Sequence, residues 1–139
     1  MRSARSVLPP APEVQQVFAE NLERAPKSAG VARELLAAAL DAWHLGQLAD
    51  TAALVLSELV SNAIRHASGE GMRVSIARLT SRRVRVSVLD RDSTRPCMQS
   101  PDLDGVGGRG LFIVDAESVS WGVDLLPDGK RVWADLEAS

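Results

Sequence analysis

The chain has 139 residues, of which 45% are hydrophobic and 24% charged, and this composition is typical of one globular domain with a sizeable core. Its formal net charge of -2 excludes a strongly basic nucleic-acid-binding protein. A single cysteine, Cys97, excludes an internal disulfide and a zinc cluster of cysteines. No apolar run approaches the roughly 20 residues of a membrane helix. We therefore expect a soluble, cytoplasmic protein that binds neither nucleic acid nor membrane.

The chain begins with a stretch that has no periodic apolar pattern. Residues 1–13 are rich in Pro, Arg and Ser, and we interpret them as a flexible tail. The remainder, residues 14–139, predicts a single domain. Its first element is a strand over Val14–Glu23.

Two helices are predicted after this strand. Apolar residues recur at helical spacing over Val31–Trp43, and Ser28 precedes them as an expected N-cap. The second helix is predicted from Ala49, or two residues earlier, to Ala67. The sequence SGEG follows and ends it.

The second half of the chain predicts four strands and one helix. Alternating apolar residues predict two strands, through Met72–Ile76 and Val84–Val88, joined as a hairpin. A long loop over Arg91–Gly108 has a length typical of functional lids. Arg109–Ser118 predicts a short helix, and a final hairpin turns at Pro127-Asp128-Gly129.

The predicted element order is β-α-α-β-β-loop-α-β-β. This order lacks the strict alternation of strands and helices that a doubly wound α/β fold requires. Paired antiparallel strands with helices on one face form an α+β two-layer sandwich. We therefore expect a mixed, mainly antiparallel sheet with three helices on one face.

The second predicted helix carries an unusual polar set. Glu58, Ser61, Asn62 and Arg65 fall on the side opposite the apolar residues, and a solvated face is the ordinary explanation. Asn is a poor helix former in a helix interior, however. Glu58 and Asn62 lie one turn apart, so they can approach one metal-bound ligand together, and an amide oxygen suits Mg²⁺.

Asp90 ends the second strand of the predicted hairpin. It has the same parity as Val84, Val86 and Val88, so it is expected on the face that those residues bury. A buried carboxylate needs a partner because burying a lone charge is costly. Asp90 either caps the loop that follows or accepts a hydrogen bond from the amine of a ligand.

Several glycines lie directly before the last predicted helix: Gly105, Gly107, Gly108 and Gly110. Glycine lets backbone N–H groups approach a ligand closely, and these groups together with the helix dipole form a site for phosphate oxygens. A hinge or a helix start adjusted by glycine is the alternative. The segment lacks the βαβ context of a dinucleotide site and the lysine of a Walker loop.

Taken in order, ELVSNAIRHA, a strand ending in Asp90, a long loop and GGRGL resemble the N, G1 and G2 boxes of the Bergerat (GHKL, histidine kinase-like) ATP-binding fold. The small size and the ending WGVDLLPDGKRVWADL resemble the RsbW-type anti-sigma-factor serine/threonine kinases, above all their actinobacterial group. The resemblance extends from Val14 to Leu136. One box departs from the usual Asp-x-Gly-x-Gly of G1, because Asp92 and Thr94 occupy the glycine positions.

The resemblance implies that the chain binds ATP and Mg²⁺. It makes Glu58 the general base for a hydroxyl of a protein substrate, Asn62 the Mg²⁺ ligand, and Asp90 the acceptor for the adenine amino group. Further nucleotide contacts are implied for the glycine-rich loop and the helix that it opens: Gly105, Gly107, Gly108, Arg109, Gly110 and Leu111.

The implied function is that of a protein kinase that sequesters a sigma factor and phosphorylates its antagonist, an anti-anti-sigma protein, on Ser or Thr. Relatives of this type commonly form homodimers. The alternative is a non-catalytic regulatory module that acts through protein contacts only; the altered G1 box favours it, whereas Glu58 favours the kinase. A third hypothesis, a histidine-kinase catalytic domain cut from a larger chain, is weakened because no upstream dimerisation helix with a phosphoacceptor His is present.

Overall fold

The structure is a computed structural model that describes residues 16–66, 71–90 and 108–139. The predicted tail and most of the predicted lid loop, including Asp92 and Thr94 of the G1 box, lie outside the described residues. Within the described ranges, no helix is both long and apolar enough to cross a membrane.

The described part of the chain forms five strands and three α-helices, in the order that the sequence predicts. They are β1 (Val17–Glu23), α1 (Ser28–Ala42), α2 (Ala49–His66), β2 (Gly71–Arg78), β3 (Arg83–Asp90), α3 (Gly108–Glu117), β4 (Ser120–Leu126) and β5 (Gly129–Glu137). One turn of 3-10 helix, Gly46–Leu48, leads directly into α2.

The start of α1 differs from the prediction. Ser28 is the first residue of the helix, and Lys27 takes the N-cap position without a side-chain hydrogen bond. Ser28 is only 3% exposed, and its Oγ donates a hydrogen bond of 2.5 Å to the backbone oxygen of Glu23. The expected N-cap is therefore wrong: the buried hydroxyl finds its acceptor at the end of β1, and it ties the helix to the sheet.

The five strands form one sheet in the order β1-β2-β3-β5-β4. All four pairings are antiparallel. Both predicted hairpins are confirmed, and the second turns through Pro127 and Asp128, between Leu126 and Gly129. Helices α1 and α2 pack on strands of this sheet and on each other, and α3 packs on α2 and β4. The predicted α+β two-layer sandwich is confirmed.

The core lies between the helices and one face of the sheet. The predicted alternation is confirmed, because every second residue of the central strands is buried there: Met72, Val74 and Ile76 on β2, Val84, Val86 and Val88 on β3, and Val132, Ala134 and Leu136 on β5. Each large aliphatic side chain buried in this way contributes roughly 1.5–3 kcal/mol of hydrophobic stabilisation. This layer fixes α2 above β3 and β5.

The opposite face of the sheet carries a charged cluster around Trp133. The Arg85 guanidinium donates to both carboxylate oxygens of Asp135, at 2.7 and 3.1 Å, and lies 4.1 Å from the centre of the Trp133 ring. The hydrogen bond from Asp135 raises the pKa of Arg85 above its ordinary value. Asp135 is only 2% exposed, so Arg85 supplies the partner that this buried carboxylate requires.

Candidate functional site

Helix α2 presents its apolar side to the core, and α3 packs on α2 as well. Val55, Leu56, Leu59, Val60 and Ala63 are at most 5% exposed, as the helical periodicity predicts. On the other side, Glu58 and Ser61 are half-buried and Arg65 is exposed. Asn62 lies on the same polar side but is only 4% exposed.

The burial of Asn62 corrects the interpretation of this side as a solvated face. Helix α3 packs against α2. Leu111 and Val114 of α3 are buried, at 7% and 0% exposed. The two residues lie three positions apart on the last predicted helix, so they share one face of it. This apolar spacing is the feature of the sequence that indicates that the helix packs on another element.

Asn62 carries a buried hydrogen-bond acceptor, its side-chain oxygen Oδ1. Its Oδ1 makes no hydrogen bond with any of the described residues. An unsatisfied buried polar atom costs about 1–3 kcal/mol, so such atoms are rare in folded proteins and call for an explanation. An amide oxygen is a hard ligand of the kind that Mg²⁺ prefers. Asn62 therefore fits the metal-binding role that the sequence assigns to it.

Asp90 lies at the end of β3, on the face of the sheet that the helices cover. It is 3% exposed and continues the buried parity of Val88, as predicted. Met72 of β2 and Lys130 of β5 lie opposite it in the two neighbouring strands. The Asp90 carboxylate thus lies at the end of a central strand, and β3 is paired with β2 on one side and with β5 on the other.

The connection between α2 and β2 brings Asn62 and Asp90 to the same end of the sheet. Residues 67–70 join His66 to Gly71 and bridge at most about 17 Å. Met72 follows at once and is the register partner of Asp90. The last turns of α2 and the end of β3 are consequently neighbours across the helix–sheet boundary.

Helix α3 directs its N-terminus toward the same end. Thr51, at the start of α2, and Glu117, at the end of α3, line one cleft, so the two packed helices run antiparallel. The first residue of α3, Gly108, therefore lies toward the Glu58–Asn62 turn. A helix N-terminus offers unpaired N–H groups and a positive dipole end to an anion such as phosphate.

The glycine-rich segment is described only in part. Gly108, Arg109 and Gly110 form the first turn of α3, and the side chain of Arg109 is not among the described ones. Gly105 and Gly107 lie outside the described residues. The nucleotide contacts predicted for this segment, that of Leu111 included, stay predictions.

The site therefore combines several groups at one end of the molecule. They are a half-buried carboxylate (Glu58), a buried amide oxygen with no partner in the described chain (Asn62), a buried carboxylate at a strand end (Asp90) and a helix N-terminus. Such a set can hold a metal ion with an anion and orient a polar planar group beside them. A nucleotide with its metal ion has all three of these features.

Comparison with known proteins agrees with this geometry. Residues 18–134 match the family model described as a histidine kinase-like ATPase domain. A search of curated proteins found no match to the chain. The matched segment runs from β1 into β5, and it includes α2, Asp90 and α3. With its five-stranded antiparallel sheet covered by three helices, the chain belongs to the histidine kinase-like ATPase domain family and has the Bergerat fold.

Proposed function

We propose that this protein binds Mg²⁺ and ATP, phosphorylates an antagonist protein on Ser or Thr, and sequesters a sigma factor. The single observation that carries the nucleotide part is the buried Oδ1 of Asn62, which has no hydrogen-bond partner in the described chain. Membership of the histidine kinase-like ATPase family supports the same part. The kinase and anti-sigma parts rest on Glu58 and on the resemblance of the sequence to anti-sigma-factor kinases.

Each polar group of the site has one role in binding the substrate ATP. Asn62 holds Mg²⁺ through Oδ1, and Asp90 accepts a hydrogen bond from the adenine amino group. The N-terminus of α3 binds phosphate oxygens through backbone N–H groups. When bound, Mg²⁺ neutralises the phosphate charge that develops during transfer. Phosphoryl transfer depends mainly on positioning and charge stabilisation, so this small set of groups is sufficient.

Glu58 acts on the attacking hydroxyl. It lies one helical turn before Asn62 and is half-buried, so it can reach a hydroxyl group at the metal side of the site. The carboxylate takes the proton of the Ser or Thr hydroxyl while that oxygen bonds to the γ-phosphorus. The bond from the γ-phosphorus to its bridging oxygen breaks, and ADP leaves with the electron pair. The products are ADP and a phosphorylated protein.

A second candidate function is supported by the G1 box. Asp92 and Thr94 replace its two glycines, and side chains at these positions bring bulk and a charge close to the expected adenine site. A protein with this change is suited to regulate a partner by binding alone, with a weakly held nucleotide or none. Glu58 distinguishes the two candidates, because a module that only binds has no need of a general base.

Thermal unfolding with Mg²⁺ and ATP tests nucleotide binding. ATP at 100 times its dissociation constant stabilises the fold by about 2.7 kcal/mol, which raises Tm by several degrees. The Asn62→Ala variant is expected to lose this shift, whereas Asn21→Ala, an exposed asparagine on β1, is expected to keep it. The absence of any shift in the wild-type protein at millimolar ATP would rule out the nucleotide part of the proposal.

Transfer of labelled phosphate from ATP to the antagonist protein tests catalysis. Glu58→Ala is expected to slow phosphorylation by about 10²–10⁴-fold, the contribution typical of a general base, and to leave the thermal shift with ATP in place. Glu34→Ala, on the exposed side of α1, serves as the matched control. Undiminished phosphorylation by Glu58→Ala would refute its role as the base. Nucleotide binding without phosphorylation of the antagonist would favour the binding module.

A further inference from the structure

Lys130 lies beside Asp90 at the same end of the sheet. The two residues are register partners in the antiparallel pair of β3 with β5. Val132 and Leu136 of β5 are buried on the face that the helices cover, and Lys130 has the same parity as these residues. Its side chain therefore starts on the same face as that of Asp90. Residues directly opposite each other on one face of an antiparallel pair have Cβ atoms about 4.5–5.5 Å apart.

The positive charge of Lys130 is unpaired within the described ranges. Lys130 forms no ion pair with the described residues, although it is half-buried. Lys27, the other lysine of the chain, is by contrast 74% exposed and lies 3.3 Å from a carboxylate oxygen of Glu23. Burial removes part of the hydration of an ammonium group, so an acceptor supplied by a ligand stabilises it. The flexible four-carbon stem of lysine lets this group reach a ligand bound at Asp90.

A carboxylate beside an ammonium group presents a defined hydrogen-bonding pattern to a ligand. The carboxylate of Asp90 only accepts hydrogen bonds, and the ammonium group of Lys130 only donates them. On adenine, the amino group at C6 donates and the neighbouring ring atom N1 accepts. On guanine the order is reversed, because C6 carries a carbonyl oxygen and N1 carries a hydrogen. The two side chains therefore match adenine, and they oppose a guanine that lies in the same orientation.

We propose that Lys130 donates a hydrogen bond to N1 of adenine while Asp90 accepts one from the adenine amino group. This inference rests on the proposed binding of ATP, and it makes Lys130 a residue that determines base specificity. The edge of adenine that carries N1 lies opposite the ribose. It can therefore enter toward Asp90, which is 3% exposed, while the phosphates stay at the N-terminus of α3. N7, the other ring acceptor beside the amino group, belongs to the ring that carries the ribose, so an approach through N7 would bring the ribose closer to the sheet.

Competition of ATP analogues for a fluorescent nucleotide, in the presence of Mg²⁺, tests the proposal on the wild-type full chain. In 1-deaza-ATP a C–H group replaces N1, so the ammonium group of Lys130 loses its acceptor. We expect this analogue to bind at least about tenfold more weakly than ATP. 7-Deaza-ATP keeps N1 and is expected to bind as ATP does. Equal binding of ATP and 1-deaza-ATP, or a loss of affinity for 7-deaza-ATP instead, would overturn the proposal.

The variant Lys130→Met, which keeps an unbranched stem and removes the charged head, assigns the effect to this residue. It is expected to bind ATP at least about tenfold more weakly than the wild-type protein and to bind ATP and 1-deaza-ATP alike. Lys27→Met, the matched control at an exposed lysine, is expected to keep both the affinity for ATP and the preference over 1-deaza-ATP. A Lys130→Met variant that still prefers ATP over 1-deaza-ATP would show that the ammonium group does not contact N1, and the proposal would be wrong.

The role of Lys130 and the proposed function fail in different ways. If ATP does not bind to the wild-type protein at all, both are wrong. If ATP binds but 1-deaza-ATP binds equally well, only the role of Lys130 is wrong, and Asn62 and Glu58 keep their proposed roles. The comparison of the analogues on the wild-type protein needs no variant, so it decides the proposal even if Lys130→Met does not fold.

Discussion

Asn62 lowers the stability of the fold in two ways. Asparagine is a poor helix former, yet it lies in the interior of the 18-residue helix α2. Its side-chain oxygen is buried without a hydrogen bond among the described residues, which adds a desolvation cost. Unfavourable local features of this kind are concentrated at functional sites, where stability is exchanged for activity. Asn62 has both unfavourable features, in agreement with its proposed role as a metal ligand.

Replacing Asn62 by leucine is therefore expected to stabilise the protein. Asn62→Leu removes a buried acceptor that has no partner in the described part of the chain, and it introduces a better helix former of similar size. In the absence of nucleotide and Mg²⁺ it should raise the free energy of unfolding by about 1–2 kcal/mol. Urea unfolding followed by circular dichroism measures this change. The variant should at the same time lose the stabilisation by Mg²⁺ and ATP.

Ser61→Ala is the control for this prediction. It improves helix propensity at the half-buried neighbouring position but removes no unsatisfied oxygen, so a gain of only a few tenths of a kcal/mol is expected. A destabilised Asn62→Leu variant would show that Oδ1 has a partner in the folded protein. In that case, the metal-binding role would lose its main support.

At the scale of the elements, the β4–β5 hairpin depends on a close approach of Gly122 to Trp133. A Cβ atom added at Gly122 would lie 2.8 Å from Cζ2 of the Trp133 ring. The same ring lies under the guanidinium of Arg85, which is held by Asp135. The Trp133 ring is thus confined between groups on neighbouring strands. Because Gly122 has no side chain, it leaves the space that the ring occupies.

Gly122→Ala is expected to destabilise the protein by about 1–3 kcal/mol because the methyl group overpacks against a large ring. Gly30→Ala serves as a control of opposite sign. Its Cβ would meet only the end of the Arg33 side chain at 3.9 Å, and alanine is favoured in a helix, so a gain of about 0.5–1 kcal/mol is expected. Chemical denaturation of both variants measures the difference; a neutral Gly122→Ala would mean that the ring moves aside freely.

At the scale of the whole molecule, chain topology assembles the proposed nucleotide site. Asp90 is 28 residues away from Asn62 along the sequence, yet the register of β2 with β3 brings them to one end of the sheet. The antiparallel packing of α3 on α2 then directs a helix N-terminus to that end. The opposite ends of these two helices line a cleft together with the end of β5. One packing arrangement thus positions both the proposed nucleotide site and this cleft.

Asp90 is expected to control which base the proposed nucleotide site prefers. A carboxylate only accepts hydrogen bonds, so it favours the amino group of adenine over the carbonyl oxygen of guanine. Asp90→Asn introduces a donor and should reduce the preference for ATP over GTP by about tenfold or more. Competition for a fluorescent nucleotide measures the ratio of the dissociation constants.

Asp124→Asn, the same substitution at a half-exposed position on β4, is the matched control and should keep the preference. If the ratio of the dissociation constants for ATP and GTP is unchanged in Asp90→Asn, Asp90 takes no part in base recognition. Asp90 would then have the other role that its position allows, as a cap for the segment after β3.

The strands and helices were predictable because each carries a local periodic signal. Alternation of Val84, Val86 and Val88 predicts both a strand and its buried face, and the helical spacing of α2 predicts which of its residues enter the core. The parity rule also extends to Asp90, whose burial is confirmed. The N-cap assigned to Ser28 failed because its hydroxyl bonds to Glu23, at the end of β1, so the geometry between two elements decides its partner.

By itself, the sequence determined the order of the elements, the buried face of each strand and the polar residues from which a site can be built. These properties depend on periods of 2 and about 3.6 residues, which any short window reveals. Only the tertiary structure decided that Asn62 is buried, with no partner for its Oδ1 among residues 16–66, 71–90 and 108–139, while Arg65 on the same side of α2 stays in water. The reason is that burial depends on how other elements pack over a helix, as α3 does on α2, and the helical period of one segment does not specify this packing. The same packing decided that α2 and α3 enclose a cleft at their far end, for which no single segment carries a signal.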